Sequence, residues 1–155
     1  MISIASIGTL ILGSSGIGKS EITLELLSRG HKLISDDAVK LHHHKNTVIA
    51  SAPHPACQHL HLRDIGCINP NDHFGKMSTI TKNKVMLVVE LIPTRKPTQT
   101  QSLSLNLSHI TMLEIALPLC SLTTQSVCSL ALKLETLVKQ FKLLNNLSAK
   151  ESCLS

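Results

Sequence analysis

The sequence predicts an α/β fold with a mostly β core, a helix after a glycine-rich loop and a second helix near the C-terminus. Three observations carry this. An apolar, β-branched run over residues 4–12 leads straight into Gly13-Ser14-Ser15-Gly16-Ile17-Gly18-Lys19-Ser20. A second run over residues 84–91, Lys-Val-Met-Leu-Val-Val-Glu-Leu, has the composition of a buried strand. Leu130, Leu134, Leu137, Val138, Phe141 and Leu144 then recur at helical spacing.

The elements follow in chain order. Residues 4–12 form a strand and residues 21–29 a helix, with Leu24, Leu26 and Leu27 able to face a core and Gly30 as its terminator. Residues 32–35 are a short strand ending at Asp36-Asp37, and residues 38–42 and 47–50 are two strands about a turn at Lys45-Asn46. Pro53 and Pro55 mark an irregular connection. Residues 60–63 and 66–68 are short apolar pieces, and residues 69–72 are a polar loop. Residues 93–109, rich in Pro, Thr, Ser and Gln, read as a long loop, and residues 128–144 as a helix packed on the sheet. The domain spans residues 1–147, with a frayed tail at 148–155.

At 155 residues the chain holds one domain by default, and 43% hydrophobic residues suffice for a real core. With two Phe and neither Trp nor Tyr, that core is aliphatic, and nucleic-acid binding by aromatic stacking is excluded. The net charge of +5 suits phosphate-bearing ligands or an acidic partner. Five cysteines, an odd number without a C-x-x-C pair, argue for a reducing, cytoplasmic compartment. The apolar start lacks the basic flank of a signal peptide, and no run reaches the roughly 18 apolar residues of a membrane span.

Residues 13–20 fit G-x-x-x-x-G-K-[ST] at every fixed position, through Gly13, Gly18, Lys19 and Ser20. Glycines let backbone N–H groups curl around phosphate oxygens, Lys19 brings a mobile positive charge, and the Ser20 hydroxyl suits Mg²⁺. Strand, loop and helix aim a helix N-terminus at a phosphate. Asp36-Asp37 stands sixteen residues beyond Ser20. Beside the loop, one carboxylate would hold Mg²⁺ and the other accept a proton from an attacking hydroxyl, which is most of what phosphoryl transfer needs. Alone, an Asp-Asp pair more often marks a turn or a cap.

The run from Gly13 to Val39, GSSGIGKSEITLELLSRGHKLISDDAV, resembles the catalytic domain of the bacterial HPr kinase/phosphorylase family. Glu21, Glu25, Arg29-Gly30-His31, Asp36-Asp37 and Val39 stand where that family's pattern has them. Leu62-Arg63, Gly66 and Phe74-Gly75 resemble its second signature, and Ser129-Leu130-Ala131 with Glu135 the start of its C-terminal helix. The resemblance implies a P-loop kinase fold and an ATP- and Mg²⁺-dependent kinase that phosphorylates a serine of HPr, a small phosphocarrier protein of sugar uptake. It places the nucleotide on Gly13, Ser14, Ser15, Gly16, Ile17, Gly18, Lys19 and Ser20, and Mg²⁺ on Ser20. Lys19, Asp36 and Asp37 become the catalytic residues, with Asp37 the proton acceptor. It further implies a homo-oligomer, a hexamer in the family.

The chain also departs from that pattern. By register the family's catalytic His would lie before Met1. His61 stands where an acidic metal ligand is expected, and Asp64 where a glycine is usual. A catalytic arginine position falls on Ser102, with Arg95 nearby but out of register. The family's dephosphorylation loop falls at residues 123–128, which hold no Arg, Pro or Gly. The expectation is therefore nucleotide binding, weakened kinase activity and little phosphorolysis. The alternative is a catalytically degenerate ATP-binding regulatory protein. A generic small-molecule kinase has no reason to carry the Arg-Gly-His and Asp-Asp-x-Val register. His42-His43-His44, His54, Cys57, His59 and His61 crowd one stretch without a standard zinc spacing and read as solvated histidines.

Overall fold

In the computed structural model, which describes residues 1–93, 105–124 and 128–152, the apolar run at residues 4–12 divides into two antiparallel strands, β1 (Ile2–Ile4) and β2 (Ile7–Leu12). The turn between them is Ala5-Ser6, both residues left-handed at φ 49° and 72°. Both arms are buried, so apolar patterning alone could not separate them. The helix α1 (Lys19–Ser28) follows the glycine-rich loop. It buries Ile22, Thr23, Leu26 and Leu27, and it ends at Gly30 (φ 85°), where the Gly30 and His31 N–H groups close onto the Leu27 and Leu26 carbonyls.

Next come β3 (Lys32–Leu33), the hairpin of β4 (Lys40–His44) and β5 (Thr47–Ser51) about Lys45-Asn46, and a 3₁₀ turn at Pro55–Gln58. The two apolar pieces that follow pair as a second hairpin, β6 (Leu60–Leu62) with β7 (Gly66–Ile68). The expected polar loop at residues 69–72 is instead the start of a short helix, α2 (Pro70–Phe74). The Asn69 side chain accepts the Asn71 N–H and Pro70 occupies the first turn, a start signal that outweighs the polarity of the segment.

The run at residues 84–91 is also two elements, β8 (Lys82–Lys84) and β9 (Leu87–Ile92), in different sheets. Two strands that the sequence did not signal, β10 (Ser108–Met112) and β11 (Ile115–Thr123), turn through left-handed Leu113-Glu114. Most of the expected loop at 93–109, with Arg95 and Ser102, lies outside the described residues, and its end at 108–109 is already strand. The C-terminal helix α3 (Leu130–Ser152) runs past 144, where the apolar repeat stops, and into the stretch expected to be a tail.

Six strands form one mixed sheet in the order β10-β11-β9-β2-β1-β3, with β11, β9 and β2 parallel at its centre. Alternate residues separate its two faces. Ile11, Leu87, Val89 and Leu91 pack with Ile22 and Leu26 of α1 and Leu134, Val138 and Phe141 of α3. Leu10, Val88 and Leu117 pack with Val48 and Ala50 of the small β4-β5-β8 sheet. Gly8 lies where β2 crosses the β8–β9 link: a Cβ there would stand 1.9 Å from the Lys84 carbonyl oxygen, while the Gly8 carbonyl accepts the Met86 N–H at 2.9 Å. Among the described residues, no helix is long and apolar enough to cross a membrane.

Candidate phosphate and cation site

The glycine-rich loop leaves the C-terminal end of β2 beside β9, with Leu12 in register with Glu90. This is the end at which open parallel sheets bind ligands. Gly16 (φ 78°) and Gly18 (φ 97°) take the left-handed backbone the curl requires. Gly18 is also the N-cap of α1 and offers no side-chain oxygen, so the first N–H groups of the helix stay open to an anion. Lys19 Nζ folds back and donates to the carbonyls of Gly13 and Ser14 at 2.9 Å each. Ser14, Ser15 and Ile17 complete the curl, with Ile17 N–H directed at the Ser14 carbonyl at 3.4 Å.

The two aspartates reach the site by different routes. The Asp36 N–H donates to the Cys57 carbonyl at 2.9 Å, and buried Ser35 donates through its hydroxyl to the carbonyls of Ala38 and Cys57. This pins the turn after β3. Asp36 then accepts the Ser20 hydroxyl, at 3.0 Å to Oδ2 and 3.3 Å to Oδ1. Burial raises the Asp36 carboxyl above its ordinary pKa, opposed by the Ser20 hydrogen bond. Asp37 points outward, its side chain 76% exposed, with Oδ2 at 3.8 Å from His61 Nδ1. Thus Asp36 is the carboxylate on the Ser20 side and Asp37 the one facing solvent.

The β6–β7 hairpin supplies the rest. Leu60 and Leu62 are buried against Leu24 and Leu27 of α1, so the alternation of β6 turns His61 to the other face, and Arg63 follows in the turn to β7. One ligand atom from each of Asp36, Asp37 and His61 lies within 4.8 Å of the others. Arg63 was given no role by the sequence: a Cβ built at Gly16 would stand 2.8 Å from Arg63 Nη2, which puts the guanidinium against the phosphate loop. Its signal was the Leu-Arg step of the second signature. The remaining histidines of that stretch do not join this cluster. His42, His43 and His44 are exposed on β4, and His54 caps the 3₁₀ turn by accepting the Ala56 N–H. Among the described residues Cys57, Cys67 and Cys120 are free thiols.

Behind the loop, α3 is tied to α1. Ser129 donates to Glu25 at 2.6 Å, and buried Glu135 accepts from Arg29 Nε and Lys139 Nζ at 2.5 Å each. Hydrogen bonding from Lys139, then from Arg29, holds the Glu135 carboxyl at about 2 despite its burial. His31 Nε2 is buried 3.6 Å from Glu135, and burial holds the imidazole below its ordinary pKa. The Arg-Gly-His run thus carries the first helix onto the last.

Strand, glycine loop and uncapped helix at the centre of a mixed sheet define a P-loop α/β domain. The family described as HPr Serine kinase C-terminal domain matches residues 1–153, and the chain belongs to that family. It is 33% identical over 144 residues to an HPr kinase/phosphorylase of Geobacillus thermodenitrificans, covering 92% of this chain and 47% of that protein. A Clostridium botulinum protein of the same name is 40% identical over 89 residues, covering 57% of this chain and 29% of the relative. The structure of the Hpr(Ser) kinase/phosphatase from Coxiella burnetii superposes with a TM-score of 0.91 at 28% identity, covering 99% of this chain and 93% of that one. The chain spans about half the length of the curated relatives it first matches.

Proposed function

We propose that the chain is an ATP-dependent protein serine kinase of the HPr kinase type, acting on an HPr-like phosphocarrier protein in the regulation of carbon uptake. The observation that carries this reading is the Ser20–Asp36 contact at the mouth of the phosphate loop, in a chain of this family. Gly13 to Ser20 cradle the nucleotide phosphates through backbone N–H groups. The Ser20 hydroxyl and the Asp36 carboxylate are hard oxygens that suit Mg²⁺. The nucleotide, when bound, supplies the phosphoryl group and the cation offsets its charge. Lys19 exchanges the Gly13 and Ser14 carbonyls for phosphate oxygens, and Arg63 adds a second cation at the Gly16 side. Asp36 holds Ser20, while exposed Asp37 is free to take the proton of an incoming serine hydroxyl. A homo-oligomer and a cytoplasmic location belong to the same reading.

His61 in place of an acidic ligand favours a second reading, an ATP-binding regulatory protein without transfer activity. Incubation with ATP·Mg²⁺ and HPr, followed by detection of phosphoserine, decides between them. Phosphoserine that disappears in Lys19→Ala supports the kinase. ATP binding without phosphoserine supports the regulator. If the protein bound no ATP·Mg²⁺, and Lys19→Ala changed nothing, both readings would fall.

A further inference from the structure

The chemistry of Asp36, Asp37 and His61 is not that of an Mg²⁺ site. Mg²⁺ demands oxygen ligands in a near-ideal octahedron, whereas imidazole nitrogen suits ions such as Zn²⁺, Co²⁺ and Ni²⁺. Here two carboxylates and one imidazole converge, with ligand atoms within 4.8 Å of one another. Donors that share one ion at about 2.1 Å stand roughly 3–4 Å apart. The side chains of Asp37 and His61 are 76% and 60% exposed, so small rotations close that gap without disturbing the core.

Two further observations favour an ion. Asp36 and Asp37 are adjacent like charges, and among the described residues neither forms an ion pair with a Lys or Arg; the His61 ring stands 3.8 Å from Asp37, and the Met1 ammonium acts on Asp36. The cluster is also held from behind. The His61 N–H points at Asp36 Oδ2 at 3.5 Å, and Asp36 is fixed by Ser20 and by the Cys57 carbonyl. Oriented ligands bind more tightly than freely rotating ones.

We propose that Asp36, Asp37 and His61 form a site for a borderline divalent transition ion, of the Co²⁺ or Zn²⁺ type, which it prefers to Mg²⁺. This shares Asp36 and Asp37 with the kinase reading and adds His61 to them, and it is tested without nucleotide. The full chain is titrated with Co²⁺ by visible absorption, and with Zn²⁺ and Mg²⁺ by calorimetry. The expected result is tighter binding of Co²⁺ and Zn²⁺ than of Mg²⁺, by about 100-fold or more. His61→Glu should narrow that preference at least tenfold, with the far-UV circular dichroism unchanged. Lys19→Ala should leave Co²⁺ binding as it is, so loss of nucleotide binding does not register as loss of this site. Equal affinity for Mg²⁺ and Co²⁺ would overturn the proposal. So would Co²⁺ binding that survives His61→Ala but vanishes in a His42→Ala/His44→Ala double variant, which would put the ion on β4.

Discussion

The Ser20 hydroxyl donates to the Asp36 carboxylate at 3.0 Å, although the two are sixteen residues apart and lie on different elements. Ser20 is in the first turn of α1 and Asp36 in the turn after β3, which the Cys57 carbonyl fixes. The contact divides the two aspartates by burial: Asp36 is turned to the loop, Asp37 to solvent. Adjacent residues of identical chemistry thereby stand in different surroundings.

That division is measurable. Asp37→Asn should lower the rate of HPr phosphorylation by about 10²–10⁴-fold, the usual worth of a positioned base, and leave ATP affinity within about twofold. Asp36→Asn should weaken Mg²⁺-dependent ATP binding about tenfold, because the amide still accepts from Ser20 but carries no charge for the cation. Rates from phosphoserine formation and affinities from calorimetry separate the two. Equal losses of affinity in both variants would contradict the assignment.

Arg63, in the turn between β6 and β7, stands against Gly16. Arg63→Ala should weaken ATP binding by about 10-fold, the scale of one charge-assisted hydrogen bond, while Arg63→Lys restores only part because Lys lacks the planar fork. Since Arg63 is exposed, the thermal midpoint should stay within a degree or two. A fall in stability in place of affinity would make Arg63 a packing residue.

Gly8→Ala tests the fold beneath the site. A methyl group 1.9 Å from the Lys84 carbonyl oxygen meets backbone rather than a movable side chain, and the same crossing carries the Gly8–Met86 hydrogen bond. The expected cost is about 2–4 kcal/mol, read as a drop in the urea midpoint at constant slope.

The phosphate loop, α1, Asp36-Asp37 and α3 were legible because each announces itself within a short window: glycines at fixed spacing, a helical repeat, adjacent acids after a strand. The β1–β2 and β10–β11 hairpins were not. Their turns, Ala5-Ser6 and Leu113-Glu114, are left-handed yet hold no Gly or Asn, so the usual turn signature is missing. The split of residues 84–91 into β8 and β9 was hidden for another reason. Val85 and Val88 face the small sheet while Leu87 and Val89 face the helices, and a run buried on both sides shows no period. His61 and Arg63 took meaning only from the hairpin that presents them. The sequence could note that His61 was out of pattern, but not that it meets Asp37.

Glu135 makes the joint between first and last helices sensitive to acid. Its folded pKa of about 2 lies below the ordinary 4.5, so the unfolded chain takes up its proton first as the pH falls. Its stabilisation is complete above about 4.5 and is lost progressively toward 2. His31 contributes with the same sign at higher pH: burial lowers its pKa beneath the ordinary 6.5, so protonation favours the unfolded state once the pH drops below that value. The urea midpoint should therefore decline gently below 6.5 and more steeply below 4.5. Glu135→Gln at neutral pH should cost about 1–3 kcal/mol, since it leaves Arg29 and Lys139 without their carboxylate; it should flatten the steeper limb and deepen the gentler one, because the Glu135 charge beside His31 raises the imidazole pKa. An unchanged acid limb in that variant would place the acid sensitivity elsewhere in the fold.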